Sequence, residues 1–304
     1  MNEKYDSKFH SGGGVARSAG VVKWGEHYMK EYKPEYTINK IYKDTYAITD
    51  NGFSQGKVYM YLLVGNEKAL LVDSGYGMLD LKAVIKTITD KPVICICTHG
   101  HLDHAPGACQ FDESYLHSKD FDVFKQHTDP ELITKAGLKG LMMKPPIWMR
   151  NNPSYHKLVE TMASKKYTAP QPLDDAESFD LGGRTVTWRH VPGHTQGSIA
   201  VIDETYKTAF DADACAPGAW LFLPESSSLT EYKKELESYL VFLENTKIER
   251  RYVGHAGKAL GTESLQKLIK CVQVAIDKPK KGIKVKTILG NARIVFAAGS
   301  LLFC

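Results

Sequence analysis

The spacing of apolar and polar positions changes several times along the 304 residues. Residues 1–35 are polar, with Gly12, Gly13 and Gly14 in succession, and read as a loosely attached N-terminal arm. From Tyr36 the texture becomes β-like. TINKIYKDTYAI and KVYMYLLV are short runs rich in β-branched and aromatic residues, and GNEK turns the chain into ALLVDSG. Between Leu79 and Thr89 the residues Leu81, Val84, Ile85 and Ile88 recur at helical spacing. PVICIC is a continuous apolar run of the kind that fills a buried strand. This part of the chain predicts hairpin, helix and strand in that order.

Residues 111–175 break the rhythm. Helix-like stretches around Lys119 to His127 and Pro130 to Met143, with Pro145-Pro146 and several methionines, predict a helical insertion. Strand-like runs resume in RTVTWRHV, SIAVID and TAFDADA. SSLTEYKKELESYLVFLENT reads as a helix opened by a capping box, Ser228 with Glu231 three residues on. RYVGHAG reads as a strand end, TESLQKLIKCVQVAI as a further helix, and the tail KVKTILGNARIVFAAGSLLFC as two strands joined by a Gly-Asn turn. Strand and helix alternating on both sides of an insertion predict an α/β sandwich with sheet inside and helices outside.

Composition narrows the function classes. Charged residues make up 24% and the hydrophobic set 43%, with a net charge of +4, which is ordinary for a globular protein. The one basic cluster, Lys278 to Lys281, reads as a solvated loop, so neither nucleic acid nor membrane is an expected partner. The first twenty residues lack the apolar core of a signal peptide. No stretch reaches the roughly 20 apolar residues of a membrane helix. The six cysteines are scattered without framework spacing, which suits a reducing cytoplasm.

The candidate chemistry sits in CTHGHLDHAPG, directly after the buried run, where His99, His101, Asp103 and His104 fall within six residues. Residues two apart in extended backbone point the same way, so His99 and His101 can grip one ion. Imidazole and carboxylate suit zinc, which needs further ligands from elsewhere in the chain. HVPGHTQGS offers His194, FDADA offers Asp211 and Asp213, and VGHAG offers His255, each at a strand end. The remaining histidines, 10, 27, 117, 127, 156 and 190, lack such framing and read as ordinary surface or core residues. Cys95 and Cys97 read as small core residues, whereas Cys215 lies two residues past Asp213 and is a candidate to approach the site.

These motifs in this order resemble the metallo-β-lactamase-fold superfamily of metallohydrolases. THGHLDHAPG is similar to its H-x-H-x-D-H signature, VPGHTQGS to its second metal motif, FDADA to its bridging-aspartate motif, VGHAG to its last histidine and LLVDSG to its D-x-G. The resemblance covers about residues 36–300 apart from the insertion. It implies an αββα sandwich of two mixed sheets flanked by helices, with residues 36–304 forming the domain; the 111–175 helical insertion lies outside the resemblance and is expected either to cover the active site or to serve as a packing or dimer element. It further implies that His99, His101 and His194 hold one ion, that Asp103, His104 and His255 hold a second, and that Asp213 bridges them. The family usually has Gly-Asp where this chain has Ala212-Asp213, which leaves Asp211 as a competitor. Asp73 would orient the metal loop by hydrogen bonds or cap a turn.

The cofactors so implied are two Zn2+, with Fe or Mn also compatible. The implied reaction is attack of a metal-bridging hydroxide on an ester, thioester or lactone carbonyl, with Asp103 able to take a proton. The alternatives are a β-lactamase-like amide hydrolase, CAPGAW being faintly similar to some of those enzymes, and a diiron oxidoreductase of the same fold. The latter usually places Glu where His101 stands and carries a flavin domain. The expected partner is a small-molecule substrate, and a homodimer is compatible. Trp148, Met142, Met143, Tyr155 and Pro145-Pro146 are candidates to roof the site.

Overall fold

The computed structural model describes residues 35–50, 57–140, 145–174 and 178–304. The expected arm, save Glu35, and Met142 and Met143 lie outside them. A first sheet runs in sequence order through β1 (Tyr36–Tyr42), β2 (Thr45–Asp50), β3 (Val58–Val64), β4 (Ala69–Val72), β5 (Val93–Cys97), β6 (Glu113–Leu116) and β7 (Gln171–Pro172). Its first four strands are antiparallel, and β4 to β7 are parallel.

A second sheet contains β8 (Ser178–Asp180), β9 (Thr185–His190), β10 (Ile199–Asp203), β11 (Thr208–Ala212), β13 (Arg250–Val253) and β14 (Ala256–Leu260). The pair β11–β13 is parallel within an otherwise antiparallel sheet. A third sheet, which the sequence reading did not anticipate, is ordered β12 (Ala219–Trp220), β17 (Ser300–Phe303), β16 (Asn291–Ala297), β15 (Ile283–Lys286). The tail thus forms three strands rather than two, because Ala298-Gly299 makes a second hairpin turn with both residues at positive φ.

Alternation along the strands builds the layers. Leu70, Val72, Ile94 and Ile96 face inward against Val186, Ile199, Val201 and Phe210 of the second sheet. Leu71, Cys95 and Cys97 point outward against Leu81 and Ile85 of helix α1 (Leu81–Lys86). Strands buried on both faces show no polar alternation, which is why PVICIC reads as one apolar run. The same pleat makes Cys95 and Cys97 core residues. Behind the second sheet pack two long helices, Leu229–Thr246 and Thr262–Asp277.

That region carries α2 (Phe121–His127), α3 (Pro130–Lys139), α4 (Ile147–Arg150) and α5 (Pro153–Ala163). It is not wholly an insertion, since β6 belongs to the first sheet and pairs with β5. Its helices bury Ile133, Met149, Tyr155 and Met162 together with Tyr76 and Leu102, packing against the loops that lead to the site. Helix α6 (Leu229–Thr246) starts at the expected capping box, Ser228 and Glu231 bonding reciprocally. It docks Tyr232, Leu236, Tyr239 and Leu243, each side chain contributing about 2 kcal/mol by burial. Helix α7 (Thr262–Asp277) docks Leu265, Leu268, Cys271 and Val272 beside it. The result is the expected helix, sheet, sheet, helix order.

Candidate metal centre

Four strand ends converge on one point: the loop after β5 brings His99, His101, Asp103 and His104, and the turns after β9, β11 and β13 bring His194, Asp213 and His255. The β11 end sends its two aspartates in different directions. Asp211 continues the strand and points to the outer layer, where it accepts hydrogen bonds from Tyr239 Oη (2.6 Å) and Arg251 Nε (2.6 Å). Arg251 is itself fully buried. At Ala212 the backbone turns left-handed, φ 42°, and swings Asp213 toward the histidines. Gly254 closes the other side, because a Cβ there would lie 2.6 Å from Asp213 Oδ1 and 2.7 Å from His104 Cε1.

Each imidazole is anchored by its outer nitrogen. His104 Nδ1 donates to Asp73 Oδ2 (2.8 Å), His194 Nδ1 to the Trp220 carbonyl (2.9 Å) and His255 Nδ1 to the Lys57 carbonyl (3.0 Å). Thr98 Oγ1 gives its proton to Asp73 and so accepts from His99 Nδ1 (3.1 Å). His101 Nε2 donates to Glu225 Oε1 (2.9 Å). With the outer nitrogen of each ring protonated, the ring in its neutral form turns a lone pair toward the centre.

That arrangement fits a cation. His101 Nδ1 and His194 Nε2 face each other at 3.0 Å, and two lone pairs cannot satisfy one another. His99 Nε2, His104 Nε2 and Asp213 Oδ1 are buried without a hydrogen-bond partner, a costly state for a polar atom unless an ion completes it. The ligand atoms of His99, His101 and His194 lie within 4.8 Å of one another, as do those of Asp103, His104 and His255, and those of His99, His104 and Asp213. Asp213 Oδ2 lies 3.8 Å from His194 Nε2, 3.7 Å from His104 Nε2 and 3.2 Å from His255 Nε2, so it reaches both sets.

Charge divides the two sets. Burial, reinforced by the neighbouring rings, pushes His99 well below the ordinary imidazole value and His194 down to about 4. Burial opposes protonation at His104 too, but Asp103, Asp73 and Asp213 outweigh it and raise that ring to about 9. His255 is likewise raised well above its ordinary value against burial, by Asp213 and Asp103. Burial works against ionisation of Asp103 and Asp213 in turn, yet the facing imidazoles hold both well below the carboxylate range.

Asp73 carries the loop on its side chain: Oδ1 accepts from the Thr98 N–H (2.7 Å) and from Thr98 Oγ1 (2.9 Å), while Oδ2 holds His104. Its own φ of 60° lies in the left-handed region that Asp tolerates. Three further residues escaped the sequence reading. Asp120, fully buried, accepts from the Gly100 and Gly197 N–H groups and from Thr195 Oγ1, tying the loops of His99 and His194 together. Glu225 anchors His101. His127, expected to be ordinary, stacks on His101 with ring centroids 4.4 Å apart and lines the pocket. Their sequence neighbourhoods carry no signal, since each is recruited across the fold.

The pocket over the centre has a volume of about 330 Å³. His101, Asp103, His194, Asp213 and His255 form its polar end, and Ala216, Pro217, Trp220, Leu223, Leu289, Leu301 and Phe303 its apolar wall. Of the described residues in 111–174, His127 alone lines it, so the expected roof is not built by Trp148 or Tyr155. Trp148 is 49% exposed, and Tyr155 is buried among the helices with its hydroxyl on the Gly137 carbonyl. Cys215 faces the second-sheet core instead of the pocket. His117 and His190 stack on each other, and His190 Nε2 is bonded to the Gln196 carbonyl. His156 is bonded to the Arg150 carbonyl. His10 and His27 lie outside the described residues.

Sandwich, strand-end histidines and shared carboxylate together define a metallohydrolase class. Residues 54–255 match the metallo-beta-lactamase superfamily, and the chain belongs to it as a hydrolase. This fold generally binds metal ions, typically zinc. The chain is similar to acyl-coenzyme A thioesterase MBLAC2 of Bos taurus, at 24% identity over 71% of this chain and 78% of that protein. It is also similar to hydroxyacylglutathione hydrolase GloC of Haemophilus influenzae, at 26% over 52% of this chain and 66% of that one. Among solved structures, DIM-1 metallo-beta-lactamase superposes with a TM-score of 0.53 at 15% identity, covering 80% of this chain and 99% of that one. The mono-zinc form of FIM-1 from Pseudomonas aeruginosa gives 0.56 at 14%, covering 82% and 98%. Among the described residues no helix is long and apolar enough to cross a membrane.

Proposed function

We propose that the chain is a dinuclear metal-dependent hydrolase acting on the thioester of an apolar acyl group. His99, His101 and His194 would hold one ion and Asp103, His104 and His255 the other, with Asp213 in reach of both sets. The observation that carries this reading is the set of inward lone pairs together with the partnerless buried atoms His99 Nε2, His104 Nε2 and Asp213 Oδ1. Zinc suits these donors, and iron or manganese are compatible with them. Ions bound there would supply a nucleophilic water at neutral pH and a Lewis acid for the substrate oxygen.

The chain's own residues do the rest. Asp103, lining the pocket, is placed to relay the proton of the attacking water to the thiolate that leaves as the C–S bond breaks. Asp73, Glu225 and Asp120 keep the imidazoles and their loops in place without touching substrate. The wall of Trp220, Leu301 and Phe303 packs the acyl group and excludes bulk water. The choice of thioester is supported by this wall and by relatives named as an acyl-coenzyme A thioesterase and a hydroxyacylglutathione hydrolase. The partner is then a small molecule rather than nucleic acid.

The test is elemental analysis of the purified protein combined with thiol release from acyl-coenzyme A, without flavin or reductant, beside lactone and β-lactam panels. About two ions per chain and preferred thioester turnover are expected. A fully loaded protein holding one ion removes the shared role of Asp213. Oxygen consumption dependent on an added reductase points instead to the oxidoreductase alternative.

A further inference from the structure

The apolar wall of the pocket continues beyond it. In the third sheet Trp220 is paired with Phe303, Phe303 with Ile294, and Ile294 with Ile283. Directly paired residues on adjacent strands present their side chains on one face. These four therefore form a single row across all four strands, three strand spacings or about 14 Å long. A parallel row pairs Leu301 with Phe296. The opposite face of the same strands is the one that buries Val295 and Leu302 against α7.

One end of this face is inside the pocket, where Trp220, Leu301 and Phe303 line it beside the histidines. The other end is open, with Ile283 70% and Phe296 68% exposed. Ile288, in the turn that also places Leu289 in the pocket wall, is 42% exposed. A contiguous exposed apolar surface of this kind marks a binding site. Strands β15 to β17, which carry all of the row but Trp220, lie beyond residue 255, where the superfamily match ends.

We propose that this face is the track for a long acyl chain. It rests on the thioester reading above. The carbonyl lies at the metal end of the pocket, and the chain runs outward over Phe303 and Ile294 toward Ile283 and Phe296. Continuity with the pocket selects this occupant: a chain leaving the centre along the wall meets no polar side chain in the row before it reaches solvent. Substrate preference then follows chain length.

The experiment uses the metal-loaded full chain and butyryl-, decanoyl- and hexadecanoyl-coenzyme A, in wild type and in the double variant Ile283→Ser/Phe296→Ser. Both positions are exposed, so an unchanged melting temperature is the check on folding. In the wild type kcat/KM should rise about twofold per methylene while the chain follows the track, roughly half the effect of full burial, and then level off. The variant should lower the hexadecanoyl-to-butyryl ratio at least tenfold, through KM rather than kcat. Calorimetric binding of free fatty acids of the same lengths reads the track without hydrolysis. Length-dependent fatty-acid binding that the variant abolishes supports the track even if no thioester is cleaved, in which case the thioester reading falls alone. Thioester cleavage indifferent to chain length overturns the track and leaves that reading standing. A dimer, or flotation with phosphatidylcholine vesicles, that the variant abolishes without any chain-length effect assigns the face to a second copy or to lipid, and also overturns the proposal.

Discussion

The two proposed halves of the centre share imidazole donors and differ in the carboxylates near them, and so in the protons those imidazoles favour. In the half made by His99, His101 and His194, burial keeps His99 and His194 neutral at pH 7, the latter at about 4. In the half made by Asp103, His104 and His255, the carboxylates raise His104 to about 9 and His255 well above its ordinary value. An ion entering the first half would meet ready lone pairs on His99 and His194. On the two-ion reading, an ion entering the second would have to displace protons that Asp103 and Asp213 favour. Burial and charge pairing act on both, and the number of carboxylates within reach decides which wins.

The largest effect should come from deleting a carboxylate or imidazole at the heart of either half. Asp103→Ala and His101→Ala should each lower kcat/KM by at least 1,000-fold, with circular dichroism unchanged, because the sheets and helices do not lean on these side chains. Metal analysis separates the halves: Asp103→Ala should lose the ion of the second half and keep the first. Loss of both ions in that variant would show that the halves are one cooperative unit.

Next is the pH dependence of loading. Zinc titration of the metal-stripped protein should show one site of nearly constant affinity above pH 6.5. The other should gain about tenfold per pH unit for each proton displaced, up to about pH 9. Equal slopes at the two sites would remove the distinction. Stability of the stripped protein carries the same signature. The raised pKa of His104 contributes stability that is full below 6.5 and lost as pH rises through 9. The depressed pKa of His194 contributes stability that is full above 6.5 and lost as pH falls through 4. Urea midpoints should therefore fall toward both ends of the range.

A smaller effect belongs to the anchors. Glu225→Ala should weaken the first-half ion by 10- to 100-fold in chelator competition, since His101 Nε2 loses its acceptor, and Glu225→Gln should recover most of that loss. The second-half ion should be unaffected. Smallest of all, Ala212→Gly should stabilise the fold by about 1 kcal/mol in urea unfolding, because Ala212 sits at φ 42° where glycine costs less. A destabilised Ala212→Gly would mean that the turn at the β11 end is held by packing of the Ala methyl.

Much of this was legible without coordinates, and the reason is local. Period-2 and period-3.6 patterning follows from backbone geometry, so the strands around PVICIC, the capped helix at Ser228 and the layered α/β architecture can be read directly. The metal motifs are short and lie at strand ends, so His99, His101, Asp103, His104, His194 and His255 could be named from spacing and resemblance. What only the tertiary structure decided depends on partners distant in the chain. Asp211 and Asp213 look alike in FDADA until Arg251 and Tyr239 capture the first and the left-handed turn at Ala212 releases the second. Asp120, Glu225 and His127 acquire their roles from residues 20 to 124 positions away. The pocket wall was expected from Trp148 and comes instead from Trp220 and the last strand, because the helices of 121–163 spend their apolar faces on one another. Patterning tells a residue which way to face; only packing decides what it meets there.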